Sequence, residues 1–360
     1  MANNTQSDDD WSLYPYDPSK AAPIAFAILL TVIACYQFYQ CFVRYHWKKF
    51  GATMTWASSV WISGFIIRTI SAYNVQNVGI FVAQYVLIIM GPPLYAAAEY
   101  FILGRLLAYL PYFAPIHPGR VFSTFIFLSA VVEALTANGA STVATADYGT
   151  ARRARGLDIL KAALILQACI EAFFFSLVAT LEYRCRRAGK FPRRIRPVFY
   201  ILYITSSMML VRCIIRTIEG FEATSCPSTQ VYCGYIETHE AFLWIFEIAN
   251  ITLFVILLAL FHPGRYLPRD SKIFLDPVDL ETERLGPGFG KADKRPFLVT
   301  VLDPFNFYGI ITGKGMARDP FWEQEQPVYE GGDVKKAMEA RRLQQESGAA
   351  AKEEVDGDKV

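Results

Sequence analysis

The residues able to do chemistry in this chain are charges lying inside or beside long apolar stretches, and they fall into two groups. Arg68, Arg212, Arg216, Glu219, Glu240 and Glu247 form the first. At 1.5 Å of rise per helical residue, Arg68 sits about 6 Å below the nearer end of its stretch, Arg212 and Glu247 about 9 Å and Arg216 about 3 Å. Arg212 and Glu247 share a depth on consecutive stretches, which predicts an ion pair. Arg216 has Glu219 at i+3 and Glu240 at the start of the next stretch. Arg212, Arg216 and Glu219 fall on one helix face. The second group lies deeper: Glu133 and Glu171 near the middle of their stretches, and Glu99 toward the far end of its own. No basic residue is expected at their level, so each acid meets a cation or keeps a proton. Pro92 and Pro93, after Gly91, fall at the same level. They predict a kinked or broken helix with freed carbonyls, an arrangement that points to a transport site. Two readings stay open for each group. The first is a gate or a structural clamp, and the second a cation path or protonated acids hydrogen-bonded between helices.

The elements that must carry these residues are membrane helices. The 360-residue chain is 53% hydrophobic and only 19% charged, against about 25% in soluble domains. Seven runs reach the roughly 20 residues that cross a bilayer: about 22–43, 54–72, 79–103, 121–145, 159–183, 198–218 and 241–261. They are continuous rather than alternating, which excludes a β-barrel. The expected fold is all-α, a polytopic seven-helix membrane protein. Its expected domains are an extracellular tail at 1–21, the membrane domain at 22–265 and a cytosolic, mostly disordered tail at 266–360.

Lys and Arg concentrate in the loops after runs 1, 3 and 5, most densely at 184–196, and are scarce on the other side. That bias places the N-terminus outside and the C-terminus in the cytosol. One loop dissents, with Arg152, Arg153 and Arg155 on the predicted outside. The 184–196 cluster sets topology; contact with anionic lipid head groups is its second reading. The first residues are acidic and lack the basic start of a cleaved signal. Asn3-Asn4-Thr5 is a glycosylation sequon, and Cys226 and Cys233 flank an expected outer loop as a disulfide candidate.

Several chemistries are excluded. No phosphate-binding glycine loop is complete: 309–315 lacks the spacing and the Ser/Thr. The four histidines lie at or beyond run ends, so no intramembrane haem or histidine-held metal is expected, and no cofactor is implied. Nucleic acid is not an expected partner. The run at 241–261 has no lysine for a retinal Schiff base. The expected partners are membrane lipids or amphiphilic small molecules, and oligomeric state is not legible.

The block Arg212-Cys-Ile-Ile-Arg216-Thr-Ile-Glu219, followed by His239-Glu240, Trp244, Glu247 and His262-Pro263-Gly264, resembles the fungal RTA-like family of seven-span lipid-translocating exporters. Tyr14-Pro15, Gly64 to Arg68, Gln84, Pro93, Ala97, Tyr100, Gly104-Arg105, Gln167 and Phe173 extend the likeness over about residues 14–265. Trp61 stands where the family pattern has an acid, and Ser129 and Thr136 where an acid and a glutamine are expected. Glu133 and Glu171 are not part of the pattern. The resemblance implies a plasma-membrane or vacuolar protein, not an enzyme, that moves amphiphiles such as sphingoid long-chain bases and confers resistance to toxic amphiphiles. A seven-span lipid or stress sensor without transport is the alternative. The orientation is checked by epitope tags: an N-terminal tag is stained on intact cells, and a C-terminal tag only after permeabilisation.

Overall fold

A computed structural model describes residues 14–146, 149–189, 191–224, 234–236, 238–286, 296–303, 307–311, 326–329, 331–332 and 334. Asn3, Cys226 and Cys233 lie outside the described residues. Seven helices are long and apolar enough to cross a membrane: α1 (Ala21–Arg44), α2 (Lys48–Tyr73), α3 (Val78–Tyr109), α4 (Pro118–Val143), α5 (Ala151–Arg187), α6 (Arg193–Glu222) and α7 (Glu240–Arg265). Each outruns its hydrophobic stretch, because a helix continues past the hydrocarbon core into the head-group layer. The chain is therefore an all-α, multi-pass membrane protein.

Successive helices pack side by side from α1 to α6, and α7 closes against α6 and α1. α3 is the spine: it touches α2, α4, α5 and α6. Ile28, Val32, Ile66 and Ile214 face away from the bundle and are exposed, as expected for a lipid-facing surface. Inside, buried polar groups bridge helices. Gln37 Nε2 donates to the Val255 carbonyl at 3.0 Å, and Asn250 Nδ2 to that of Met208 at 2.8 Å. In a bilayer such groups have no water to turn to.

The Pro92-Pro93 pair does not break α3. The helix runs through both prolines. Pro92 has no N–H to give the Ile88 carbonyl four residues back. The Trp61 indole supplies it instead, donating from Nε1 at 3.2 Å. Gly91 makes room for that ring: a Cβ there would lie 2.2 Å from the indole. The tryptophan at the position where the resemblance expects an acid is thus the patch over the proline.

The dissenting arginines also find a local reason. They ride on the first turn of α5, and Arg153 donates to the Val143 carbonyl at 3.0 Å, capping α4.

One end of the bundle holds residues 14–20, the α2–α3 turn and the start of α7; we call it the belt end. At the opposite, basic end the first part of the tail from residue 266 carries regular structure. Strands β1 (Ile273–Leu275) and β2 (Glu283–Leu285) pair antiparallel, with Ile273, Leu275 and Leu285 buried. The ribbon is tied to the helices. Arg105 donates to the carbonyls of Pro268 and Arg269, and Glu283 accepts from Tyr109 at 2.9 Å and pairs with Arg194 at 2.8 Å. Arg284 pairs with Asp276. The His-Pro-Gly turn starts this path: His262 Nδ1 accepts from the Gly264 N–H at 3.0 Å and its ring stacks on Tyr45. Part of the basic 184–196 segment therefore holds the ribbon.

The patch over the proline is testable. Trp61→Phe keeps the ring but loses one buried hydrogen bond, costing about 1 kcal/mol. Gly91→Ala drives a methyl into the indole and is the more damaging change. Thermal unfolding of the detergent-purified chain, followed by size-exclusion, reads both.

Candidate functional site

The first charge group assembles at the belt end, between α2, α6 and α7. Arg212 and Arg216 are one turn apart on α6. Between them lies Glu247, carried on a π-helical turn of α7, Leu243–Ala249. Such turns widen a helix locally and recur at functional sites. Arg212 holds Glu247 Oε1 through Nε at 2.8 Å and Nη2 at 2.7 Å. Arg216 Nε holds Oε2 at 2.8 Å, and its Nη1 reaches Glu219 at 2.8 Å. One carboxylate is clamped by two guanidiniums. Arg212 and Glu247 do pair, as their depths require, and both are almost fully buried.

Glu240 has a partner that depth did not single out. Its Oε1 takes Arg68 Nη2 at 2.7 Å, and its Oε2 accepts from the Ser19 N–H at 3.0 Å. Arg68 also donates to Gln84 Oε1 at 3.3 Å and Tyr16 Oη at 3.2 Å, and its guanidinium faces the rings of Tyr14 and Trp244. The extended segment before α1 thereby becomes part of the site. Burial pushes the Tyr14 and Tyr16 phenols above their ordinary value, against the pull of the Arg68 charge. Both stay neutral at physiological pH.

Three guanidiniums and three carboxylates thus make a belt without net charge. Beneath it lies a cavity of about 110 Å³, lined by Tyr16, Arg68, Gln84, Tyr85, Arg216 and Glu247 among others. Arg212 borders it too, and its buried Nη1 has no partner among the described residues.

The second group lies between α3, α4, α5 and α6. A cavity of about 20 Å³ is bordered by Glu133, Thr136 and Gln167. A third, of about 10 Å³, is bordered by Tyr100, Ser129, Gln167 and Glu171. Tyr85 and Ile89 are shared by the first and second cavities, and Pro93, Val132 and Gln167 by the second and third. The three are strung along one face of α3. Glu133 is only half-buried, whereas Glu171 is buried and its Oε1 accepts from Tyr100 at 2.9 Å.

One expectation about depth is corrected. Counted from Val78 and Ala151, Glu99 and Glu171 fall at nearly the same level, within reach of each other's charge. Arg212 stays in the belt on Glu247, within electrostatic reach of Glu171. The site residues that sequence reasoning missed are Tyr16, Ser19 and Tyr85. Each is a common residue type, and the spacing alone does not reveal that the segment 14–20 folds back onto α2 and α7. Among the described residues no cluster of His, Cys, Asp or Glu is arranged to hold a metal.

A seven-helix bundle with a buried ion-pair belt over acid-lined cavities defines a class of polytopic membrane protein. The family model described as RTA1 like protein matches residues 54–270, and the chain belongs to that family. The chain is 32% identical over 336 residues to the lipid-translocating exporter-like protein RTA1 of Leptosphaeria maculans, covering 89% of this chain and 63% of that relative's length. It is 29% identical to the protein of the same name from Ajellomyces capsulatus, covering 78% of this chain and 89% of the relative. It is 26% identical to protoporphyrin uptake protein 1 of Saccharomyces cerevisiae, covering 54% and 62%. No solved structure matches.

The clamp has a measurable signature. Arg212→Ala leaves a buried carboxylate short of one cation and costs about 3–5 kcal/mol. The exchange Arg212→Glu with Glu247→Arg recovers expression and thermal stability toward wild type, while each single change does not. Two harmless single changes with a failed exchange would contradict the pairing.

Proposed function

We propose that the chain translocates cationic amphiphiles, of which sphingoid long-chain bases are the type, and so protects its cell from toxic amphiphiles. The observation that carries this reading is the series of three cavities along α3, from the ion-pair belt past Glu133 to Glu171. A polar head needs a hydrated, acidic route across the bilayer core, whereas its hydrocarbon chain can remain in lipid. The belt end acts as an outer gate, with the N-terminus outside and the ribbon in the cytosol. Glu133 and Glu171 receive the ammonium in turn. The two inner cavities have room for about one water each, so this is a shut state. The path opens where α3 is weakest, at the two prolines that give it no backbone hydrogen bond. The names of the two exporter-like relatives support lipid movement, and plasma membrane is the site of action we assign.

A second reading is a membrane sensor. It draws on the docking of the ribbon 273–285 against α3 and α6, which ties the spans to the tail. Removing residues 335–360 spares the ribbon and the segment 326–329 that hydrogen-bonds to β2, and separates the two: a sensor falls silent, a translocator continues.

The central test is release of a labelled sphingoid base from cells at matched surface levels. Wild type releases faster than control cells, and the double variant Glu133→Gln/Glu171→Gln loses the gain. Fast release that survives both changes would discard these acids as the path. Unchanged release in wild type would discard translocation.

A further inference from the structure

The acid at Glu99 has no place in the path just described, yet it is the most isolated charge-bearing group in the bundle. Its side chain has no exposed surface, and neither carboxyl oxygen has a hydrogen-bond partner among the described residues in this arrangement. Across from it, Glu171 uses Oε1 for Tyr100 and leaves Oε2 unpartnered. Two adjacent carboxylates with three unmatched oxygens cannot both be ionised in an apolar interior, where an unpaired charge is strongly disfavoured. The surroundings do not supply the missing protons. Thr205 stands against Glu99 from α6 and is the one hydroxyl that can turn to it, but in this arrangement it donates to the Ile201 carbonyl at 2.9 Å. Arg212, which acts on Glu171 from the same helix, is engaged by Glu247, and Cys213 is a buried thiol beside it. From α4, Ser129 donates to Tyr100 Oη at 3.5 Å, and Tyr100 donates on to Glu171 at 2.9 Å. This hydroxyl chain starts in the water-sized cavity bordered by Ser129, Tyr100 and Glu171 and ends on the carboxyl pair.

We propose that Glu99 and Glu171 form a proton-exchange site: the pair holds one proton at rest and gives it up when a cationic head group reaches the cavity beside Glu171. The Tyr100 and Ser129 hydroxyls first turn about, so that the acid donates to Tyr100 Oη and Tyr100 to Ser129 Oγ; the O–H bond of the acid then breaks, its electron pair stays on the carboxylate, and as Tyr100 takes that proton it passes its own to Ser129, which passes its own to water. The ammonium takes its place, so the charge of the site is unchanged. The resting proton stands independently of the proposed function; its displacement rests on that reading. Such an exchange would couple movement of the amphiphile to a proton gradient and answers how a chain without a nucleotide-binding loop could be driven.

The test uses the full chain in lipid nanodiscs and the infrared C=O stretch of a protonated carboxylic acid. Wild type at neutral pH shows this band, and the difference against Glu99→Gln and against Glu171→Gln isolates the pair. Tyr100→Phe, which keeps the packing, shifts the band and serves if the glutamine variants do not fold. Sphingosine added to a weakly buffered sample removes the band and acidifies the medium. Absence of the acid band in wild type at neutral pH overturns the proposal. A band that persists unchanged with sphingosine, in a chain that still speeds release from cells, overturns the exchange alone. A persistent band with no release from cells overturns both the exchange and the translocation reading.

Discussion

Charge balance inside an apolar bundle is the constraint from which the rest of this structure follows. Glu247 lies almost fully buried on α7, and a lone carboxylate there would be strongly disfavoured. Two arginines of α6 neutralise it, and they bring a surplus positive charge that Glu219 takes up. Arg68 on α2 repeats the problem and is answered by Glu240. Because each group leans on another helix, the belt fixes how α2, α6 and α7 meet at one end. It also recruits the segment before α1, through Ser19 and Tyr16. A buried ion pair is weak evidence for stability, since a well-packed apolar core can equal it. A neutral network that can rearrange without exposing net charge suits a gate better than it suits a rivet.

The same logic separates what was legible in the sequence from what was not. Helix number is legible because bilayer thickness sets a length that seven runs meet. The Arg212–Glu247 pair is legible because depth along a helix is a simple count. The pairing of Glu240 with Arg68 was not legible because depth says nothing about which helices are neighbours around the bundle. Glu99 and Glu171 were separated because apolar runs end before their helices do: α5 starts at Ala151, well ahead of its apolar stretch. The Pro92-Pro93 break failed for a different reason. A missing N–H can be replaced by a side chain on another helix, and only the fold brings the Trp61 indole to the Ile88 carbonyl. The ribbon after residue 266 was read as disordered because its composition is polar. Its few apolar residues suffice once Tyr109, Arg105 and Arg194 offer them a docking edge.

Family membership and geometry divide the explanation between them. The matched region, residues 54–270, contains α2 to α7 except for the first residues of α2, and with them both charge groups. The belt residues lie within the motif by which the family is recognised. Glu133 and Glu171 also lie within the matched region, on α4 and α5. The names of those relatives span lipid translocation and protoporphyrin uptake.

The central claim is that a hydrated route runs along α3 beneath the belt, and its accessibility to a polar reagent tests this most directly. In a background with the native cysteines replaced, Tyr85→Cys, Ile89→Cys and Val132→Cys would be treated with a membrane-impermeant thiol reagent. The exposed Tyr73→Cys at the end of α2 is the positive control. The account predicts labelling at all three path positions and its suppression by a sphingoid base. Labelling of Tyr73→Cys alone, with the three path positions inert in the presence and absence of amphiphile, would contradict it.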